Sequence, residues 1–225
     1  CEHMQDFTNK NSFKGNPFVC LQSNDYIDFG DFSGIDNDNS WSFQGNYQFS
    51  SFAGGGGYDW KTLVSDGGYS NVSGWGILAG YNTLGFYFNH TTTSNVNYSF
   101  NTNQWYNIAF TLDAGNLKVY IDGVLVKDEI IGTNFSIATN DSFYLGSSGT
   151  SSQSGYPFSG NIDDVHIWST ALNQSEINSF ITCPPNTATN NYLDLEAYWN
   201  FEQINGTTVI DLSGNGINGT LTNSQ

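Results

Sequence analysis

The chain has 225 residues, with 17 Phe, 13 Tyr and 6 Trp against a single Met, and 25 Gly set between short apolar runs. This is the composition of strands parted by turns, and the length holds one large β domain rather than two. Five Lys and Arg against 21 Asp and Glu give a formal charge of -16, which repels a phosphate backbone and argues against nucleic acid as a partner. No apolar run approaches the roughly 20 residues that span a bilayer, and no basic-then-apolar leader opens the sequence.

Residues 1–19 show no apolar period and are expected to be a disordered N-terminal segment, leaving 20–225 as a single domain. Period-two alternation follows. After "YIDFGDF" comes "SWSFQGNYQFSSF", in which Trp41, Phe43, Gly45, Tyr47 and Phe49 share one face and Ser42, Gln44, Asn46 and Gln48 the other. "TLVSDG", "GWGILAGY" and "LGFYFN" are the next strands, the last with Leu84, Phe86 and Phe88 inward and Tyr87 and Asn89 outward. "QWYNIAFTLD" and "NLKVYIDGVLV" form a hairpin turned at "DAGN", with a second turn at Asp122-Gly123. "SFYLGS" and "NIDDVHIWS" precede the one helix, "NQSEINSFI", where Asn173 and Glu176 have capping-box spacing.

Beyond Pro184-Pro185 the stretch "AYWNFEQINGTTVIDLSGNGINGT" reads as a strand over Ala197 to Phe201, a second through Thr208, Val209 and Ile210, and a Gly/Asn loop holding Asp211. It either opens a second domain or closes the first. Of the three cysteines, Cys20 lies just before the first strong strand and Cys183 just after the helix. A Cys20–Cys183 disulfide is expected, worth roughly 3–5 kcal/mol in the chain-entropy model; two buried free thiols are the alternative. The bridge implies an oxidising, extracytoplasmic setting.

"NQWYNIAFTLDAGNLKVYIDGVLV", "FSGNIDDVHIWSTALNQSEI" and "LEAYWNFEQINGTTVIDLSGNGINGT" together resemble the laminin-G-like, concanavalin A-like domains of secreted bacterial proteins, more distantly related to pentraxins. The resemblance covers about residues 21–220. It implies an all-β jelly-roll sandwich of two antiparallel sheets with one short helix, secreted or on the cell surface as part of a larger protein. In much of that family the last motif comes first. Here the order implies a circular permutation in which strands within 195–212 close the sandwich, a change tolerated where termini adjoin.

Glycosidases of this architecture generally carry a Glu-x-Asp-x-x-Glu strand that sets acid and nucleophile about 5 Å apart. The five glutamates here show no such spacing, Asp163 and Asp164 point to opposite faces unless a bulge intervenes, and the three histidines lack metal spacing. The reading is therefore non-catalytic. Asp211 opens "DLSGNG", whose hard oxygens suit Ca²⁺. The resemblance also implies a structural calcium, held by Asp163 and Asp211 with carbonyls of Asn215 and Gly216; the alternative is that Asp211 only closes a turn. "DNDN", residues 36–39, lacks the glycine and glutamate of an EF-hand loop and reads as solvated.

A polar sheet face offers a glycan amide and hydroxyl partners, and aromatic side chains stack on its CH faces. Gln44, Asn46, Tyr87, Asn89, Lys118 and Tyr120 would share such a face, and the Gly-rich loops add Tyr58, Trp60, Tyr69 and Trp75. Trp105, Trp168 and Trp199 are assigned to packing. The expected function is a carbohydrate-binding module for polysaccharide, neutral rather than anionic because no basic cluster is present. A protein-binding adhesion module and a ligand-free spacer are the alternatives.

Overall fold

The computed structural model describes residues 18–22, 25–35, 39–52, 60–67, 74–88, 92–132, 142–148, 156–202 and 204–222. Along them run β1 (Val19–Leu21), β2 (Tyr26–Asp31), β3 (Ser40–Phe49), β4 (Lys61–Asp66), β5 (Trp75–Gly80), β6 (Thr83–Phe88), β7 (Thr92–Asn97) and β8 (Trp105–Asp113). There follow β9 (Asn116–Ile121), β10 (Val124–Ile130), β11 (Ser142–Leu145), β12 (Gly160–Trp168), the helix α1 (Gln174–Thr182), β13 (Leu195–Trp199), β14 (Ile204–Asn205), β15 (Thr208–Val209) and β16 (Gly219–Thr222).

All pairings are antiparallel and form two sheets. The first runs β12-β3-β8-β9-β10, with β1 and β13 both lying along the free side of β12, opposite Gly160 to Ile162 and Val165 to Trp168 respectively. The second runs β14-β15-β16-β2-β11-β4-β5-β6-β7. The tail thus enters both sheets, through β13 in the first and β16 in the second, the latter past residue 212 where the sequence reading placed the closure. Its Trp199 is fully buried, 4.0 Å from the Phe29 ring, and donates its indole N–H to the Ile217 carbonyl at 2.8 Å.

Between the sheets the alternation of β3 holds. Trp41 meets Trp75 at 4.5 Å and Phe110 at 4.8 Å, and Phe49 meets Phe52 at 4.7 Å. Trp75 is therefore core, against the expectation that it serves a ligand; its strand is buried along its whole length. The hairpin turns are also as expected. Ala114 and Gly115 have φ of 46° and 84°, Asp122 and Gly123 51° and 74°, the two left-handed residues of a tight turn that matches strand twist.

Helix α1 starts in a full capping box: Asn173 Oδ1 accepts from Ser175 N at 2.9 Å and Glu176 N at 3.1 Å, while Asn173 N donates to Glu176 Oε2 at 2.7 Å. It lays Ile177 and Phe180 on the outer face of the first sheet, where Trp168 stacks on Phe180 at 5.0 Å amid Tyr120, Leu172, Leu195 and Tyr198. This second small core decides which polar face of the sandwich stays open. The Cys20–Cys183 bridge is not formed. Cys20 pairs with Asn161 in the ladder while its neighbours Val19 and Leu21 point inward, so strand alternation turns its thiol to solvent, free and exposed.

Candidate functional site

The first polar face is closed. Gln44 donates through Nε2 to Asn107 Oδ1 at 2.9 Å and to the Ile177 carbonyl of α1 at 3.0 Å, and Asn107 Nδ2 donates to Asn46 Oδ1 at 2.8 Å. Gln44, Asn46 and Tyr120 are buried beneath the helix and form a polar interior, not the glycan contacts expected of them. Alternation named the face correctly; the helix that lands on it removes it from solvent. His166, in the same row, accepts from Trp168 Nε1 at 2.7 Å and is held neutral, burial having pushed its pKa down to about 3.

Asp211, expected to hold calcium, is hydrogen-bonded through both carboxylate oxygens. Its Oδ1 accepts from the backbone N–H of Tyr198 at 3.0 Å and Ser213 at 2.9 Å, and its Oδ2 from Ser213 Oγ at 2.8 Å, Gly216 N at 2.9 Å and Ile217 N at 3.1 Å. Five donors saturate a carboxylate. Gly216 offers its N–H here, and Asn215 uses Nδ2 to donate to the carbonyls of Leu195 and Glu196 at 2.9 and 3.0 Å. The loop is closed on its own acid, the arrangement of a turn-closing Asp.

Asp163 lies on β12 opposite Asn46 and is 1% exposed. A bulge does intervene between Asp163 and His166, with Asp164 at φ 47°, and it brings the two neighbouring carboxyl groups into mutual range. Asp163 Oδ1 accepts from Asp164 N at 2.9 Å and its Oδ2 is buried with no donor. Burial first, then the charges of Asp164 and Glu202, push its pKa up to about 9, so it is a neutral acid at pH 7. Tyr198 donates its hydroxyl to Asp164 Oδ1 at 2.8 Å. Among the described residues no three His, Cys, Asp or Glu side chains are grouped to hold a metal.

On the second sheet β4 and β5 are buried along their length and β6 from Leu84 to Phe88, and exposure on the outer side is carried by Thr93, Asn95 and Asn97 of β7. A cleft of about 210 Å³ there is lined by Trp60, Leu78, Gly85, Phe86, Tyr87, Thr93, Asn95 and Tyr156. Its floor is built by register. Leu78 pairs with Gly85 and Gly85 with Asn95; Gly76 pairs with Tyr87 and Tyr87 with Thr93, so these outward positions form two adjacent rows across β5, β6 and β7. The missing Cβ atoms shape it. A Cβ on Gly85 would stand 3.2 and 3.3 Å from Cζ3 and Cη2 of Trp60, and one on Gly80 3.6 Å from Cε3, so the half-buried indole rests its six-membered ring on two glycines. Tyr87 lies over Gly76 in the same way.

Of the expected ligand residues, Trp60 and Tyr87 meet in this cleft, Trp60 half-buried and Tyr87 buried with its hydroxyl out of reach of solvent, while Asn89, Tyr58 and Tyr69 lie outside the described residues. Leu78, Gly85, Thr93, Asn95 and Tyr156 were not anticipated. The signal for two of them was present: "TTSNVN" alternates, with Thr93, Asn95 and Asn97 exposed and Ser94 and Val96 buried. At the cleft's outer side Lys127 donates to the Asn95 carbonyl at 2.8 Å and pairs with Glu129 at 3.1 Å. A second hollow of about 250 Å³ under the end of α1 has one aromatic ring, Phe180, already stacked on Trp168.

The family profile of the concanavalin A-like lectin/glucanases superfamily (Laminin_G_3) matches residues 21–178, and the chain belongs to that superfamily. The match ends within α1, so β13 to β16 lie outside it. No curated protein sequence matches the chain. Among solved structures, a candidate carbohydrate-binding protein from Bacteroides ovatus shares the fold with TM-score 0.73 and 20% identity, over 92% of this chain and 57% of its own; this chain thus spans little more than half of that protein. Domain 4 of AbnA, an extracellular GH43 arabinanase of Geobacillus stearothermophilus solved with arabinotriose, gives 0.56 at 21% identity, covering 76% of this chain and 79% of its own. The CBM40 domain of the Ruminococcus gnavus IT-sialidase, solved with α2,3-sialyllactose, gives 0.55 at 16% identity, covering 74% and 96%. No helix among the described residues is long and apolar enough to cross a membrane.

Proposed function

We propose that the chain is a non-catalytic carbohydrate-binding module that takes a neutral glycan on the outer face of its second sheet and holds a larger secreted or surface protein to it. The observation that carries this reading is Trp60 resting on Gly80 and Gly85, half-buried beside the exposed Asn95 and Thr93. A ring lying on glycines can bring one side to a sugar's CH face while neighbouring amide and hydroxyl groups take its hydroxyls, the pairing of apolar surface with a few polar groups that small-ligand sites use. Neutral sugar is favoured because the ammonium beside Asn95 is already matched by Glu129. The paired acids of β12 support no hydrolysis, since Asp163 is sealed from any substrate.

A glycan array followed by titration calorimetry tests the reading. Wild type binds one or more neutral glycans, and Trp60→Ala weakens the best of them at least tenfold with an unchanged melt. A blank array, or equal binding by Trp60→Ala, overturns it. Capture of a protein partner alongside a blank array establishes the adhesion alternative.

A further inference from the structure

We propose that Glu129 and Lys127 of β10 are positioning residues for the sugar site: they lock the register of β7 and so hold Thr93 and Asn95 beside Trp60. The inference rests on the glycan reading of Trp60 and adds the groups, on the opposite sheet, that keep its polar partners in place.

The sequence of β7 fixes its own place weakly. The strand ends the second sheet, paired with β6 on one side. Of its six residues, "TTSNVN", Val96 alone is apolar, and it joins the core opposite Leu84. A slip of two residues would keep every side chain on its own face. It would also carry Asn95 away from Gly85, one of the two glycines on which the Trp60 ring rests. A terminal strand with so few buried apolar contacts opens locally at low free energy. Either change would displace the exposed amide and hydroxyl that the cleft offers a sugar.

Two ties from the first sheet oppose both changes. β10 ends that sheet, and its Lys127 and Glu129 stand opposite Val119 and Leu117 of β9, both core residues, so they occupy inward positions at the side of the sandwich. Ser94 has the matching place on β7, in a row with Phe86 and Ile77. Lys127 Nζ donates to the Asn95 carbonyl at 2.8 Å. Glu129 Oε2 accepts from Ser94 Oγ and pairs with Lys127 Nζ at 3.1 Å. One carboxylate and one ammonium thus fasten two successive residues of β7 to the other sheet.

The chemistry of the tie suits a lock. Ser94 is buried in a row otherwise apolar, and its hydroxyl is accommodated there by donating to Glu129. The hydrogen bond from Ser94, and next the one from Lys127, hold the Glu129 carboxyl below its ordinary range, so the tie is charged at neutral pH. Apolar side chains would close this side of the sandwich equally well; hydrogen bonds to particular atoms add a fixed register. When only a fraction of molecules holds that register, apparent affinity falls by the same fraction.

The test measures hydrogen exchange, sugar affinity and melting for wild type, Trp60→Ala, Glu129→Ala, Lys127→Met and Lys127→Arg. Asp128→Asn is the charge control, because Asp128 faces Lys118 on the outer side of β10. The amides of β7 should exchange roughly tenfold faster in Glu129→Ala and Lys127→Met, with those of β5 unchanged. Cellotetraose, xylotetraose and arabinotetraose are the sugar probes. The one that wild type binds best should bind those two variants roughly fivefold or more weakly. Lys127→Arg, which keeps a cation and a donor, should stay within about twofold of wild type, as should Asp128→Asn. Unchanged exchange in β7 overturns the lock. Faster exchange with unchanged affinity leaves a tie that takes no part in binding, and also overturns the proposal. No wild-type binding to any probe, or equal binding by Trp60→Ala, overturns the glycan reading and the role given to Glu129 and Lys127 within it, while the exchange data still report the lock.

Discussion

Individual acids in this chain act through their burial and their donors more than through their number. Asp211 ties the closing loop to β13 with five hydrogen bonds, one of them to the Tyr198 N–H. Asp211→Ala leaves those donors unsatisfied, at a cost of about 3 kcal/mol and a melting point lower by roughly 6–12 °C for a domain of this size. Chelator should leave both the wild-type and the variant melts where they are; a chelator-induced drop in wild type that Asp211→Ala abolishes would return the residue to a metal. Asp163 acts in the opposite sense. Its pKa is raised to about 9, so between roughly pH 4 and 9 the native state keeps a proton that the unfolded chain releases. Stability from this group is full below pH 4 and is lost as pH rises towards 9. Thermal melts from pH 5 to 8.5 should therefore fall more steeply for wild type than for Asp163→Asn, and parallel profiles would refute the neutral acid. Tyr47 offers a third check: its hydroxyl is buried without a partner, so Tyr47→Phe should raise stability by about 1 kcal/mol.

At the level of elements, sequence pattern reported which side chains share a face and said little about which face stays open. The inward set of β3, the left-handed turns at Gly115 and Gly123 and the capping box of α1 each follow from a rule local to a few residues. Where α1 lands does not. Its buried apolar residues are just Ile177 and Phe180, and its target is assembled from β8, β9, β12 and β13, far apart in sequence. For that reason Gln44, Asn46 and Tyr120 read as a ligand face, while Thr93 and Asn95 sat in an Asn/Thr-rich strand with few apolar residues and went unread. The same locality makes the cap testable. Asn173→Ala removes the acceptor for Ser175 N and Glu176 N and should cost about 1 kcal/mol. Since α1 covers Gln44 and Trp168, the variant should also raise hydrogen exchange in that part of the first sheet without changing sugar affinity at Trp60, which lies on the other sheet.

Over the whole molecule the two sheets are completed from both ends of the described chain. β1 and β13 share one side of β12, each covering a different part of it, so neither the early nor the late segment satisfies that strand alone. In the second sheet β16 covers the side of β2 that β11 leaves free, and Trp199 fills the core between Phe29 and Phe143 at 4.0 and 5.9 Å. Removal of residues 186–225 would therefore uncover strand edges in both sheets and empty a Trp-sized volume between them, each a recognised route to aggregation or collapse. The truncated chain should be insoluble or melt without cooperativity. Trp199→Ala in the full chain isolates the packing part, with an expected loss of about 3–5 kcal/mol. A peptide of residues 186–225 added during refolding should restore a cooperative melt if strand completion is the cause. A truncated chain that stays soluble and melts as sharply as the full one would mean that the sheets are complete before β13, and that the tail binds to a domain already folded.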